Sequence, residues 1–269
     1  MTLPDASTTC LLIGGRGFVG SAIAAAADAA GWRVTTVGRD DYAGHTQEQF
    51  DVLINANGNA QRFKADREPL WDFERSVRPV YASLFECRFT HYVLISSVDV
   101  YNDASTPATT SENTPIDPAT LPAYGFHKRL AELCVERQAR SWQIFRLAQM
   151  LGVNLTKGPV FDLLGGRPLW IHPASQMPYM NTRSVGGAVI GLIERAPRNT
   201  VYNVCGRGSV EFAKILGLCG MTEQEVHFAA HARQTYRINT EKTERLCLLP
   251  DSWNEVRTFI EAAKPAHGA

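Results

Sequence analysis

No excess of charge of either sign, no paired cysteines, no long apolar run and no low-complexity tract occur in the 269 residues. Each absence closes off a class of protein. Lys and Arg together number 27, as do Asp and Glu, whereas proteins that track nucleic-acid phosphates usually concentrate positive charge. Nucleic acid and acidic membrane surfaces are therefore not expected partners. Cys10, Cys87, Cys134, Cys205, Cys219 and Cys247 stand far apart with no Cys-x-x-Cys pair, which argues against a redox motif or zinc knuckle and for small buried hydrophobes. No apolar run approaches the roughly 20 residues of a membrane helix. Met1 to Cys10 has neither the basic start nor the apolar centre of a signal segment, so a cytoplasmic chain with no membrane partner is expected. With 45% hydrophobic residues there is ample core for one domain plus a small lobe.

What is present alternates strand-like and helix-like patterns, the mark of an α/β architecture whose parallel sheet is buried on both faces. Cys10–Gly14 is an apolar run ending in glycine, and Ser21–Ala30 is alanine-rich helix closed by Gly31. Arg33–Val37, Asp51–Asn55, Tyr92–Ser96 and Trp142–Leu147 read as further strands, with Val201–Val204 as a later addition. Only eleven residues separate Arg39 from Asp51, too few for another strand and its crossover helix, so one βα unit is shortened or missing there. Asn102–Ala123 is a long Pro-, Thr-, Ser- and Asp-rich loop of the kind that carries function. Residues 152–178 are broken by Gly158, Pro159, Gly165, Gly166, Pro168 and Pro173 and suggest a separate lobe. Val210–Leu218 and Ser252–Ala263 read as helices.

Gly14, Gly17 and Gly20 form G-x-x-G-x-x-G between the first strand and the first helix. Such glycines tighten the turn and let backbone approach a pyrophosphate, while the helix N-terminus offers N–H donors to anionic oxygens. About 20 residues on, where an acid commonly takes the adenosine ribose, stand Gly38 and Arg39. With Arg16 inside the turn, two guanidiniums could meet a 2′-phosphate, which favours NADP(H) over NAD(H). Asp40 and Asp41 follow at once and could serve a ribose instead. Candidate cofactor contacts are Gly14, Arg16, Gly17, Phe18, Val19 and Gly20 in the turn, Gly38 and Arg39 after the second strand, Asn55 and Ala56 after the third, and Lys128.

Tyr124 and Lys128 stand at i and i+4 near the start of an expected helix, which puts both side chains on one face. Alone the spacing is weak; its weight comes from lying downstream of the glycine turn, the strand YVLIS and the long loop. A phenol with a reference pKa of about 10 is a poor proton carrier at neutral pH until a nearby cation stabilises its phenolate, and Lys128 can supply that charge.

GGRGFVG (Gly14–Gly20), LISSVDVY (Leu94–Tyr101), YGFHK (Tyr124–Lys128) and FRLAQMLG (Phe145–Gly152) together resemble the extended branch of the short-chain dehydrogenase/reductase superfamily, the NAD(P)-dependent epimerases, dehydratases and sugar reductases. The resemblance is clear to about residue 152 and looser beyond. It implies a Rossmann-type doubly wound parallel sheet with a small C-terminal substrate lobe. Residues 1–150 would form the NADP-binding domain with the catalytic residues, and 151–269 mostly the substrate lobe, with 181–204 returning to the sheet. It also implies that Ser97 holds and polarises the substrate oxygen, that Tyr124 exchanges its proton, and that Lys128 lowers the tyrosine pKa and holds the nicotinamide ribose. Gln149 would contact a sugar-nucleotide pyrophosphate, or be a satisfied loop amide.

Departures from the pattern are Ser76 where the family often has Asn, Ser184 near a common aspartate, and Val98-Asp99 where dehydratases carry Asp-Glu. Asp99 is a candidate substrate contact and second acid, or a plain turn carboxylate. His227 and His231 share a helical spacing but lack a third ligand, so no metal is expected. Arg233, Arg237 and Arg245 could meet a substrate phosphate or simply be solvated. The expected function is an NADP(H)-dependent reductase or dehydrogenase on a keto-sugar linked to a nucleotide. Alternatives are an epimerase or dehydratase that recycles its hydride, and a non-catalytic NADP-binding regulator. Family habit, with Leu130, Leu133 and Cys134 as an apolar stripe, implies a homodimer through the Tyr124 helix and the helix around Ser76–Glu86.

Overall fold

The computed structural model describes residues 7–38, 41–59, 61–229 and 232–263. Arg39, Asp40 and His231, all singled out above, lie outside the described residues. The chain opens with β1 (Thr9–Ile13), the glycine turn, α1 (Gly20–Ala29) and β2 (Arg33–Val37). Next comes β3 (Gln49–Asn55), preceded by one turn of 3-10 helix at Tyr42–His45 where a crossover helix would usually stand. Three short helices follow, α2 (Arg62–Arg67), α3 (Pro69–Ser76) and α4 (Arg78–Glu86). Pro79, which has no N–H to donate into the preceding turn, separates the last two. Then come β4 (Arg88–Ser97), the long loop, α5 (Ala123–Gln138), β5 (Trp142–Leu147), β6 (Gln149–Leu151) and α6 (Pro159–Leu164). The remainder is β7 (Gln176–Met177), β8 (Tyr179–Asn181), α7 (Thr182–Arg195), β9 (Thr200–Val204), β10 (Val210–Glu211), α8 (Phe212–Leu218), α9 (Glu241–Glu244) and α10 (Ser252–Ala263).

Six strands form one parallel sheet in the order β2-β1-β3-β4-β5-β9. The fold is therefore the Rossmann-type sheet expected from the sequence, lacking the strand that commonly flanks β2 on its outer side. That absence is the shortened unit. The strands read as near-continuous apolar runs because both faces are covered. On one face Leu12, Ile54, Val93 and Phe145 pack with Ile23 of α1 and Val185, Val189 and Ile193 of α7. On the other, Leu11, Leu53, Leu94 and Ile144 pack with Val80 of α4 and Ala131 and Val135 of α5. Each such side chain, fully buried, contributes about 1.5–3 kcal/mol.

A third cluster, with Leu163, Leu169, Met177, Phe212, Leu216, Val256 and Ile260, forms the core of a smaller body built from α6, β7, β10, α8 and α10. Val210–Leu218 departs from the single helix expected. Val210 and Glu211 are extended and pair antiparallel with β7, burying the β-branched Val210 before α8 begins at Phe212.

The winding reverses at β1, which has β2 on one side and β3 on the other. In open α/β sheets this reversal leaves a crevice at the carboxyl ends of the strands, where ligands bind.

Candidate active site

The glycine turn lies at that crevice. Gly14 has φ of +79°, a left-handed conformation that favours glycine, and a Cβ there would come within 3.0 Å of the Ala56 backbone after β3. A Cβ on Gly20 would sit 2.1 Å from the Gly14 carbonyl oxygen, so the helix start folds back onto the turn only because both residues lack side chains. No side chain caps the first turn of α1; the Ser21 and Ala22 N–H groups bond the Gly17 and Val19 carbonyls, which leaves those of Phe18, Val19 and Gly20 without a protein acceptor among the described residues. Phe18 and Val19 are half-buried and Arg16 and Gly17 exposed. This tight cradle with open donors fits a dinucleotide pyrophosphate.

Asn55 departs from a simple cofactor role. Its side chain is fully buried, donates to Ser83 (3.3 Å) and Tyr92 (3.1 Å), and accepts the Asn57 N–H (3.1 Å). It braces the end of β3 from inside and leaves only its main chain toward the crevice. At the far end, Asp41 accepts the Gly38 N–H at 2.5 Å and pairs with Arg16. These two contacts, the Gly38 N–H first, hold its carboxyl below the usual range. Where the sequence suggests guanidinium for a phosphate or aspartate for a ribose, the structure shows Arg16 and Asp41 bound to each other.

Ser97 ends β4, and its hydroxyl accepts the Asp99 N–H (3.2 Å) while donating to the Asp99 carboxylate (3.1 Å). Tyr124 lies in the first turn of α5. Gly125, next to it in YGFHK, permits the approach, since a Cβ there would lie 2.2 Å from the Asp99 carbonyl oxygen. The helix start thereby docks on the Ser97–Asp99 turn, and Ser97 is near enough to offer its hydroxyl to the Tyr124 oxygen. Lys128, one turn on, sits with its ammonium 5.9 Å from the Tyr124 ring centre.

The three candidate catalytic residues therefore converge. Burial, then the Asp99 charge, pushes the Tyr124 pKa up, while Arg62 and Ser97 pull it down; the net direction is upward. Burial lowers the Lys128 pKa, opposed chiefly by Asp72. That carboxylate is fully buried, accepts from Ser76 at 3.0 Å and meets His127 Nδ1 at 2.7 Å. Ser76, standing where the family often has Asn, also accepts the Asn59 N–H at 3.1 Å.

Asp99 is more than a turn carboxylate. Tyr236 donates to its Oδ1 at 2.7 Å, and Arg62 lies 3.3 Å from the same oxygen. Sequence reasoning missed both partners, because neither lies in a motif. Gln149, at the start of β6, is half-buried, with no polar side-chain partner among the described residues. Partial desolvation, then repulsion from the Lys128 ammonium, lowers the Lys157 pKa. Arg237 is exposed and bonds Gln176, while Arg233 and Arg245 are exposed.

A strand–glycine turn–helix at a sheet reversal, with Ser, Tyr and Lys at the adjacent strand end, defines a nicotinamide-dinucleotide enzyme of the short-chain dehydrogenase/reductase type. The family described as NAD dependent epimerase/dehydratase matches residues 10–159, more than half of the chain, and the protein belongs to it. Among solved structures, UDP-galactose 4-epimerase superposes with TM-score 0.76 at 20% identity, covering 94% of this chain and 97% of that one. MoeE5 in complex with UDP-glucuronic acid and NAD gives TM-score 0.79 at 15% identity, covering 95% and 98%. The dTDP-4-dehydrorhamnose reductase of Bacillus anthracis str. Ames, in complex with NADP, gives 0.76 at 12% identity, covering 97% and 100%. These likenesses are likenesses of fold. No curated protein sequence matched the chain. No helix among the described residues is long and apolar enough to cross a membrane.

Proposed function

We propose that the protein is an NADP(H)-dependent reductase or dehydrogenase of a keto-sugar carried on a nucleotide, with residues 151–269, apart from 181–204, mostly forming the substrate lobe. The observation that carries the reading is the convergence of Ser97, Tyr124 and Lys128 beside the glycine cradle. Lys157 and Arg62, cations close to this cluster, together with solved neighbours that include a complex with UDP-glucuronic acid and a dTDP-glucose 4,6-dehydratase, support an anionic sugar nucleotide.

Bound NADPH would supply the hydride. Ser97 turns its hydroxyl from Asp99 to the substrate carbonyl oxygen, which it orients and polarises. Tyr124 gives its phenolic proton to that oxygen as charge builds there, and the Lys128 ammonium stabilises the phenolate that remains. A second reading, a 4-epimerase or dehydratase that keeps its cofactor, is favoured by Asp99, whose carboxylate stands beside Ser97 as a second acid or base. A panel of keto-sugar nucleotides and their hydroxyl counterparts separates the two: net NADPH oxidation on a keto-sugar is expected for the reductase, and conversion of a hydroxyl sugar with no net change in cofactor for the other.

NADP preference follows from Arg16 and Arg39. Arg16→Ala and Arg39→Ala should each weaken NADPH binding about tenfold to a hundredfold, the worth of roughly 1.5–3 kcal/mol of charged hydrogen bonding. Asp41→Ala should spare or tighten NADPH and weaken NADH, because the carboxylate competes with a 2′-phosphate for Arg16 but would bind ribose hydroxyls. Fluorescence titration of the two reduced cofactors gives the answer; equal affinities in wild type with no response to Arg39→Ala would overturn the preference.

The chain would pair with a second copy through α4 and α5, where Tyr81, Phe85 and Leu133 are exposed and form an apolar face that a partner would cover. Light scattering at micromolar concentration should return twice the chain mass; a monomer would refute the pairing.

A further inference from the structure

Arg62, Asp99 and Tyr236 form a closed cluster at the catalytic centre, contributed by α2, by the turn after β4 and by the segment before α9. Arg62 Nη2 donates to the Tyr236 hydroxyl at 2.7 Å, and that hydroxyl donates to Asp99 Oδ1 at 2.7 Å. Arg62 Nη2 is 3.3 Å from the same oxygen, and Ser97 holds the other carboxylate oxygen at 3.1 Å. The Asp99 side chain is 14% exposed and that of Arg62 41%, so the pair is screened from water on the carboxylate side only.

We propose that Arg62 is a positioning residue for the proton-carrying phenol: it fixes Asp99 against Ser97 and Tyr236 and offsets the carboxylate's charge where the Tyr124 phenolate forms. The inference rests on reading Tyr124 as the acid and base. The charges that act on the Tyr124 phenol are the carboxylates of Asp99 and Asp72 and the Arg62 guanidinium, with the Lys128 ammonium 5.9 Å from the ring centre. Deleting Arg62 leaves two negative charges against one positive, and a like charge disfavours a neighbouring anion. It also frees Asp99 to swing, because Tyr236 alone then anchors Oδ1. With Oδ1 satisfied by Arg62 and Tyr236, Ser97 can leave Asp99 for a substrate oxygen without stranding the carboxylate.

The test reads the phenol directly. Protein labelled with 13Cζ-tyrosine is loaded with NADP+, and the Tyr124 signal is assigned by its loss in Tyr124→Phe. Arg62→Met should raise the titration midpoint of that signal by about one pH unit or more, the usual effect of removing a nearby opposite charge. Arg62→Lys should restore at least half of the shift, since it keeps the charge while losing the guanidinium fork. Asp99→Asn should lower the midpoint, and combined with Arg62→Met should return it close to the wild-type value. Melting curves and NADP+ affinity check that each variant is folded; should Arg62→Met fail to fold, the downward shift in Asp99→Asn decides. An unchanged midpoint in Arg62→Met, or no fall in Asp99→Asn, overturns the proposal. A wild-type midpoint that NADP+ fails to lower from its raised cofactor-free position overturns the acid/base reading of Tyr124 instead, whether or not Arg62 moves it.

Discussion

Tyr124→Phe should lower turnover by about 10²–10⁴-fold while leaving NADPH affinity nearly unchanged. The ring and its packing at the start of α5 are retained; only the hydroxyl proposed to meet the substrate oxygen is lost. Lys128→Met should behave differently. Its ammonium lies 5.9 Å from the Tyr124 ring centre and feels the buried Asp72 charge; a Cβ on Gly58 would lie 3.2 Å from Lys128 Nζ and 3.7 Å from Ser76 Oγ. On the proposed reading, removing the ammonium takes away both the charge that would steady the phenolate and a donor to the cofactor ribose, so turnover and cofactor affinity should fall together. Ser97→Ala should have an intermediate effect on turnover, because one polarising hydrogen bond goes while the proton source stays. Stopped-flow hydride transfer on the three variants, beside fluorescence titration of NADPH, separates these outcomes. Near-normal turnover in Tyr124→Phe would remove the phenol from the reaction and move the proton role to Asp99, the remaining carboxylate beside Ser97.

How far these positions could be read in advance depends on how local their causes are. The glycine turn was legible because β1, the turn and the start of α1 are contiguous, and each glycine answers a clash a few residues away. Tyr124 and Lys128 were legible because one helical turn fixes their relation. The shortened βα unit showed as a simple lack of residues between β2 and β3. Asp99 could be seen as a carboxylate next to Ser97, but its partners could not. Tyr236 reaches Asp99 across 137 residues and Arg62 across 174, and no spacing rule links a six-residue helix after β3 to an irregular segment near the C-terminus. Asn55 is a case where position was legible and orientation was not. The end of β3 does face the crevice, yet the polar groups of Ser83 and Tyr92 draw the amide inward, and only the packing of α4 on the sheet reveals them. Val210 and Glu211 read as helix because the following residues are helical; the partner that extends them, Gln176–Met177, is again remote in sequence.

Glu132 lies one turn beyond Lys128 on α5, and replacing it should destabilise the protein more than any surface change. Its carboxylate is fully buried. Arg146 of β5 grips it with two hydrogen bonds at 2.9 and 2.7 Å, Ser96 of β4 donates at 2.6 Å, and Arg129 at 2.9 Å. Burial works to raise the Glu132 pKa, but Arg146, Ser96 and Arg129 together outweigh it and hold the carboxyl below its ordinary value. The cluster pins α5 to β4, which ends in Ser97, and to β5. Glu132→Gln strands the buried Arg146 charge, and breaking a buried pair from one side costs about 3–5 kcal/mol, a Tm lower by on the order of 10 °C. Replacing both partners, Glu132→Gln with Arg146→Met, should recover much of the loss, because an uncharged pair leaves no ion without a partner. The pH dependence has a definite sign. A carboxyl whose folded pKa lies below its unfolded value stabilises the native state above the unfolded pKa, and that contribution fades as the pH falls through the folded pKa. Wild type and Glu132→Gln should therefore differ most at neutral pH and converge on acidification below the ordinary glutamate pKa of about 4.3. Urea denaturation at a series of pH values measures this difference. A gap that is independent of pH, or under about 1 kcal/mol at neutral pH, would mean that the cluster does not hold α5 by its charge.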